Sequence, residues 1–380
     1  MNKKIFLFII ILLLTGCYDK HELNDIAILT ATEINKIDDI YHITAEIINP
    51  QSKDKTINPN SPFIIYEGTG KTLDEAYRKI NTISSRHLYS DHIQIMIINE
   101  NIAKENIKEI LDFYLRKPTV RTEFKVLIGK NKDILSVTTP IDKISSSSIL
   151  SSLKSDNKYL GISNLVTFND MTNMLLNPNI ELILPSIKLD NINELTDKLD
   201  NTKETKTSSK YILDSLAIFK DNKLLGYLTK EQSITYNIIK NNTKNNIITY
   251  PCNNNKYISL EILSSNSKII PKDNKININI NLTGTINETN CSIKDINKIE
   301  KNIEEYLNKD IKNNIDEIRN TYNSDIFGFL DEIYKHDYKT YKIINNTWYT
   351  KTFKKYKINI NTKIKIISNG NIMEVNNEKD

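Results

Sequence analysis

The sequence predicts a mixed α/β and α+β chain: a multidomain protein with an N-terminal α/β region followed by a C-terminal antiparallel sheet with a long packed helix. Three observations lead there. Between residues 63 and 129 short apolar runs alternate with segments of helical periodicity, the order of a small α/β unit. In the C-terminal third Ile276, Ile278, Ile280 and Leu282 alternate strictly with polar residues, which buries one face of a strand and wets the other. Residues 293–322 carry Ile296, Ile299, Ile303, Leu307, Ile311, Ile315 and Ile318 at three- and four-residue spacing, one apolar stripe on a long helix.

The chain opens with Lys3 and Lys4 before an apolar run, Ile5 to Leu14, that ends in Leu14-Thr15-Gly16-Cys17. Ten apolar residues make a signal-peptide core but fall short of the roughly 20 needed to span a bilayer. The small residues before Cys17 read as a bacterial lipoprotein signal: residues 1–16 are removed and Cys17 becomes the lipidated first residue. The body is therefore expected outside the cytoplasm, tethered to a membrane.

Behind Cys17, Asp25 to Ile34 and Tyr41 to Ile48 read as two strands around a polar turn. After Phe63 to Tyr66 comes Glu67-Gly68-Thr69-Gly70-Lys71-Thr72, whose end looks like a phosphate-binding loop. That loop needs a glycine five residues before Gly70, where Ile65 stands. Thr72 with Glu75 reads instead as a capping box opening a helix over 72–84. A strand at Ile93 to Ile98, a helix from about Ala103 to Arg116 and a strand at Phe124 to Gly129 follow. The Ser-rich piece Ser145 to Ser152 is a helix, because Ile144, Ile149, Leu150 and Leu153 keep helical spacing through it. A short helix near Asp170 to Leu176 and a strand at Ile180 to Leu189 close this half.

Residues 191–210 lose apolar content and read as a linker. The expected division is 17–190, itself in two parts (17–66 with 178–190, and 67–177), then 211–380. The second half begins with a hairpin, Leu213 to Phe219 and Leu224 to Leu228, and a helix near Glu231 to Ile239. Strands follow at Tyr257 to Leu263 and Ile269-Ile270. The long helix is expected to pack on this sheet, and a last alternating strand runs through Tyr356, Ile358, Ile360, Ile364 and Ile366.

The 380 residues suffice for two or three domains, and losing Lys3 and Lys4 with the signal lowers the formal charge from +4 to +2. Near-neutrality argues against a nucleic-acid partner. Cys252 and Cys291 can form a disulfide in an oxidising compartment, or stay as two separate thiols. No catalytic, metal or cofactor set stands out. Of five histidines only His87 and His92 lie close, at a spacing that shares neither a helical nor a strand face. His92 is expected to hydrogen-bond at a helix-to-strand junction. Glu300, Glu304 and Glu305 read as solvated helical carboxylates, and Trp348 as core.

Several stretches together carry a resemblance: Gly16-Cys17-Tyr18-Asp19-Lys20-His21-Glu22-Leu23-Asn24-Asp25; Gly70-Lys71-Thr72-Leu73-Asp74-Glu75-Ala76; Arg86-His87-Leu88-Tyr89-Ser90-Asp91-His92; Leu111 to Arg121; and Asp325-Ile326-Phe327-Gly328-Phe329 with Trp348 and Phe353 downstream. In order and spacing they resemble the Ger(x)C lipoproteins, C subunits of bacterial spore germinant receptors, over nearly the whole chain. Departures stand at Tyr18, Glu33 and Tyr341, where the family often has Trp, Gly and a nearby second Trp. The resemblance implies a non-enzymatic subunit working with A-type and B-type membrane subunits in the spore inner membrane, needed for assembly or signalling in nutrient-triggered germination. The alternative is a solute-binding lipoprotein of a transporter, which shares anchor and size but is built from two lobes of repeated βα units.

Overall fold

The computed structural model describes residues 25–49, 61–117, 120–139, 143–190, 210–242, 245–253, 255–293 and 295–368. Cys17, the signal and nearly all of the expected linker lie outside them. A nine-stranded sheet comprises β1 (Ile26–Ile37), β2 (Ile40–Ile48), β3 (Phe63–Gly70), β4 (His87–Tyr89), β5 (Ile95–Asn99), β6 (Lys125–Gly129), β7 (Ile183–Asp190), β8 (Lys210–Lys220) and β9 (Lys223–Tyr227). Its order is β3-β2-β1-β5-β6-β7-β8-β9, with β4 beside the start of β1. β1, β5, β6 and β7 run parallel, and hairpins finish both ends.

Parallel central strands need cover on both faces, and β5 shows it by burying every residue from Ile95 to Asn99. Met96 and Ile98 meet a layer containing α1 (Leu73–Ile83), α2 (Glu100–Glu105), α3 (Lys108–Leu115) and α5 (Phe168–Leu176). Ile95 and Ile97 meet Ile134, Leu135 and α4 (Ser145–Tyr159), whose Ile149 and Leu153 are fully buried. Thr72 caps α1 by accepting from the Glu75 amide at 3.2 Å, while Glu75 reaches back to the Lys71 amide at 2.8 Å. Gly68 is needed because a Cβ there would run into the Ala76 carbonyl.

The expected single helix over 103–116 is two. Asn106 is extended, and the Ile107 amide, instead of continuing the helix, donates to the Asn222 carbonyl at 3.1 Å. The hairpin expected to open the second half belongs to the first sheet: Ile183 pairs with Ile218 and Asp190 with Lys210, so strand pairing crosses the 191–210 stretch.

The second sheet has the order β10 (Asn246–Asn253), β11 (Lys256–Lys272), β12 (Lys275–Thr289), β13 (Lys357–Ser368). The stretches expected as two strands, 257–263 and 269–270, are one strand, β11, with a bulge at Ile262/Ser264. β13 is parallel to β12, not antiparallel as expected, because α7 (Ile296–Tyr322), α8 (Phe329–His336) and α9 (Tyr338–Ile344) return the chain to the end where β12 began. Ile276, Ile278 and Ile280 bury against Ile303, Leu307, Ile311, Ile315 and Ile318 of α7. α6 (Lys230–Ile239) and the aromatic segment Trp348–Tyr356 complete this core, which also takes in Ile183, Leu216 and Ile218 of the first sheet.

Two of the carboxylates expected to be solvated are structural. Asn308, Glu304 and Glu300 of α7 accept from the amides of Thr362, Ile364 and Ile366 at 2.8, 3.0 and 2.7 Å. Four residues of helix advance about 6 Å and two of strand about 6.6 Å, so three rungs stay in register. The free edge of β13 is closed to other strands by this ladder. Glu305 is exposed.

Candidate functional site at the joint between the sheets

The two sheets meet at a turn, residues 322–328, between α7 and α8. Asn323, in the left-handed region, ends α7, and Gly328 at φ 72° opens α8. A side chain at 328 would be strained, and its Cβ would sit 3.0 Å from Ile180 Cδ1. The turn is stitched to the segment before β7 and to β8 and β9 by four hydrogen bonds. The Glu181 amide donates to the Asp325 carbonyl at 3.1 Å and the Ser324 hydroxyl to the Phe219 carbonyl at 2.6 Å. Lys220 donates to the Asn323 carbonyl at 2.9 Å and the Tyr322 hydroxyl to the Tyr227 carbonyl at 2.8 Å.

Asp325 is the centre of this joint and is fully buried. Its carboxylate accepts from the amides of Phe329 and Leu330 at 3.0 and 2.9 Å and from the Trp348 indole at 3.1 Å. Burial pushes its carboxyl up to about 6, with these donors and the Lys240 charge pulling it back. Trp348 packs against Phe353, tilted, and against Tyr356, edge to face, each 5.4 Å away centroid to centroid. One carboxylate therefore fixes the start of α8, the π-helical turn at Trp348 and the turn that meets the first sheet. The arrangement can hold two bodies in one relation.

Two further buried carboxylates lie under the cover of the first sheet. Glu46 accepts from the Thr30 hydroxyl at 2.7 Å and from the Ser146 amide at 3.2 Å, so it meets the first turn of α4. Glu33 accepts from the Leu135 amide at 3.3 Å. Burial pushes both carboxyls up, Glu33 to about 7. In the sequence Glu33 stands out only as a departure from the family pattern and Glu46 not at all; acidic residues at inward positions of Ile- and Ala-rich strands are the signal that marks both.

Cys252 and Cys291 come together with Cα atoms 6.6 Å apart, within disulfide span, between β10 and the segment before α7. His87 pairs with Ile26 in register, while His92 is exposed with its ring 5.7 Å from Tyr89. A cavity of about 510 Å³ beside Lys71 and Thr72 has on its wall the ion pairs of Asp74 with Lys117 at 3.3 Å and Asp112 with Arg116 at 2.8 Å. Among the described residues no cluster of three or more His, Cys, Asp or Glu is arranged for a metal. No helix among them is long and apolar enough to cross a membrane.

Residues 19–189 match the family model for the spore germination protein N-terminal domain, and residues 214–370 match the spore germination B3/GerAC-like C-terminal model. The chain belongs to the Ger(x)C family. Spore germination protein KC of Bacillus subtilis (strain 168) is 27% identical over 90% of this chain and 89% of its own length. Spore germination protein B3 of the same organism is 22% identical over 86% and 87%. The crystal structure of the GerBC protein shares the fold, with a TM-score of 0.53 and 17% identity over 88% of this chain and 96% of that one. A part in spore germination, and not in solute transport, goes with membership of the family. The gap between the two models, residues 190–213, takes in the low-apolar stretch, although β8 pairs back across it to β7.

Proposed function

We propose that this chain is the lipid-anchored C subunit of a nutrient germinant receptor, held on the outer face of the spore inner membrane through Cys17 and working with A-type and B-type membrane subunits. The observation that carries the reading is the succession of two spore germination models along one chain. The joint around Asp325 supports a non-enzymatic part: a body whose halves are locked together passes a change at one surface to another. Two acyl chains anchor stably where one is marginal. Confinement beside the membrane raises the effective concentration of the body next to its partners.

Deletion in a spore former tests it, with germination scored nutrient by nutrient. Loss of the response to one set of nutrients is expected. Unchanged responses to all, in a strain without a second receptor, would overturn the reading. Cys17→Ala should move the protein from the membrane to the soluble fraction after a high-salt wash; retention on membranes in high salt would sink the anchor. We also assign Cys252 and Cys291 to one disulfide. Alkylation of the denatured, unreduced Cys17→Ala chain should modify no cysteine, and reduction should expose two; modification before reduction would show free thiols.

A further inference from the structure

α9 is unusual among the described helices in burying none of its residues. With the end of α8 it presents Tyr334, Tyr338 and Tyr341 as one aromatic cluster, ring centroids 5.0 to 5.8 Å apart. Ile343 beside them is 77% exposed and Leu176, at the end of α5, is 67% exposed, the two most exposed large apolar side chains among the described residues. Leu176 belongs to the same neighbourhood, because the next residue, Asn177, donates to Asp331 of α8 at 3.0 Å. Lysines accompany the patch. Lys342 lies 4.8 Å over the Tyr338 ring, Lys339 is exposed on α9, and Thr340 meets Asn274 at 3.4 Å in the turn between Lys272 and Lys275. The neighbouring acids are engaged: Asp337 caps α9 by accepting from the Thr340 amide and hydroxyl, and Asp331 and Glu332 of α8 pair with Lys335.

We propose that this patch rests on an anionic lipid surface as a second membrane contact. Tyrosines with lysines around exposed aliphatic side chains suit the boundary between headgroups and acyl chains: the rings are apolar with a wet end, and lysine stems lie along apolar surface while their charges reach the phosphates. Chain geometry favours the same occupant. The patch is tied by the Tyr341 hydroxyl, 3.1 Å from Asn179 Oδ1, to the turn that leads into β7. That turn stands at the end of the sheet from which β1, β5, β6 and β7 all set out, and β1 is three strands away, roughly 14 Å. Only Tyr18 to Asp25 separate Cys17 from β1, at most about 29 Å when extended. The proposal rests on the lipid-anchor reading for its argument, and its test separates the two.

Ile343→Cys in the full acylated chain, labelled with a polarity-sensitive dye, is bound to vesicles of phosphatidylglycerol and phosphatidylcholine. Lys132→Cys, exposed beyond the far end of β6, is the control. Emission at 343 should shift to the blue and brighten severalfold, with no change at 132. A dye at 343 that stays as wet as the control overturns the proposal and leaves the patch to a protein partner. The Cys17→Ala chain tests the patch without the anchor. It should bind the anionic vesicles in a salt-sensitive way, and Lys339→Gln with Lys342→Gln should weaken this about 25-fold, near fivefold per lysine. Equal retention on pure phosphatidylcholine, or none on either, overturns the patch. Failure of the wild-type chain to float with pure phosphatidylcholine vesicles, which the patch does not hold, counts against the anchor alone.

Discussion

Asp325→Ala should cost the fold about 3–5 kcal/mol at neutral pH. The alanine leaves the Phe329 and Leu330 amides and the Trp348 indole buried without their acceptor. Each orphaned donor costs about 1–3 kcal/mol, and relief from burying a carboxylate offsets only part of the sum. Asp325→Asn keeps an acceptor oxygen and drops the charge, so less than half of the loss is expected. Urea unfolding of the three proteins measures both numbers. An Asp325→Ala protein within about 1 kcal/mol of wild type would show that α8 and Trp348 hold themselves. Hydrogen exchange gives the spatial test. Protection should fall together over 322–330 and over the β8–β9 hairpin, since the turn bonds directly to Phe219 and Tyr227.

The parts of this fold legible in the sequence are those written in consecutive residues. The α7 stripe and the Ile276–Leu282 alternation can be read because both sides of each pattern lie within a few turns or a few strand residues. The capping of α1 by Thr72 and Glu75 is equally local. What escapes is set by partners far along the chain. The break between α2 and α3 depends on the Asn222 carbonyl, more than a hundred residues away. The first sheet takes in β8 and β9 because Ile218 and Lys210 pair with β7, which the low-apolar stretch between them conceals. The parallel β13 follows from the return path of α7 to α9, not from its own alternation. Glu300 and Glu304 look like any wet helical carboxylates until β13 lies alongside. For the joint, the string Asp325 to Phe329 stood out in the resemblance, but its role needs Trp348, 23 residues on.

Glu33→Gln should do the opposite of Asp325→Ala and stabilise the protein, but only above acid pH. Glu33 sits on β1 with 3% exposure, facing the Ile134–Ser136 turn. Burial, with Asp133 adding to it, pushes its carboxyl from 4.5 to about 7, against the pull of the amides of residues 133–135. Below pH 4.5 the group is protonated whether the chain is folded or not. Between 4.5 and about 7 the folded chain keeps a proton that the unfolded chain has released, so stability falls as pH rises. By pH 8 the wild-type protein has lost about 3 kcal/mol through this one group. Glutamine carries no charge at any pH and still offers an oxygen to the Leu135 amide, so most of that loss should be recovered. Unfolding curves from pH 4.5 to pH 8 should show the two proteins converging in acid and the variant ahead by about 2–3 kcal/mol at the alkaline end. A variant less stable than wild type across the whole range would mean that the amides of the turn favour the charged carboxylate more than burial opposes it. Glu33 would then be a strong anchor for the cover over the first sheet, and not a cost carried within it.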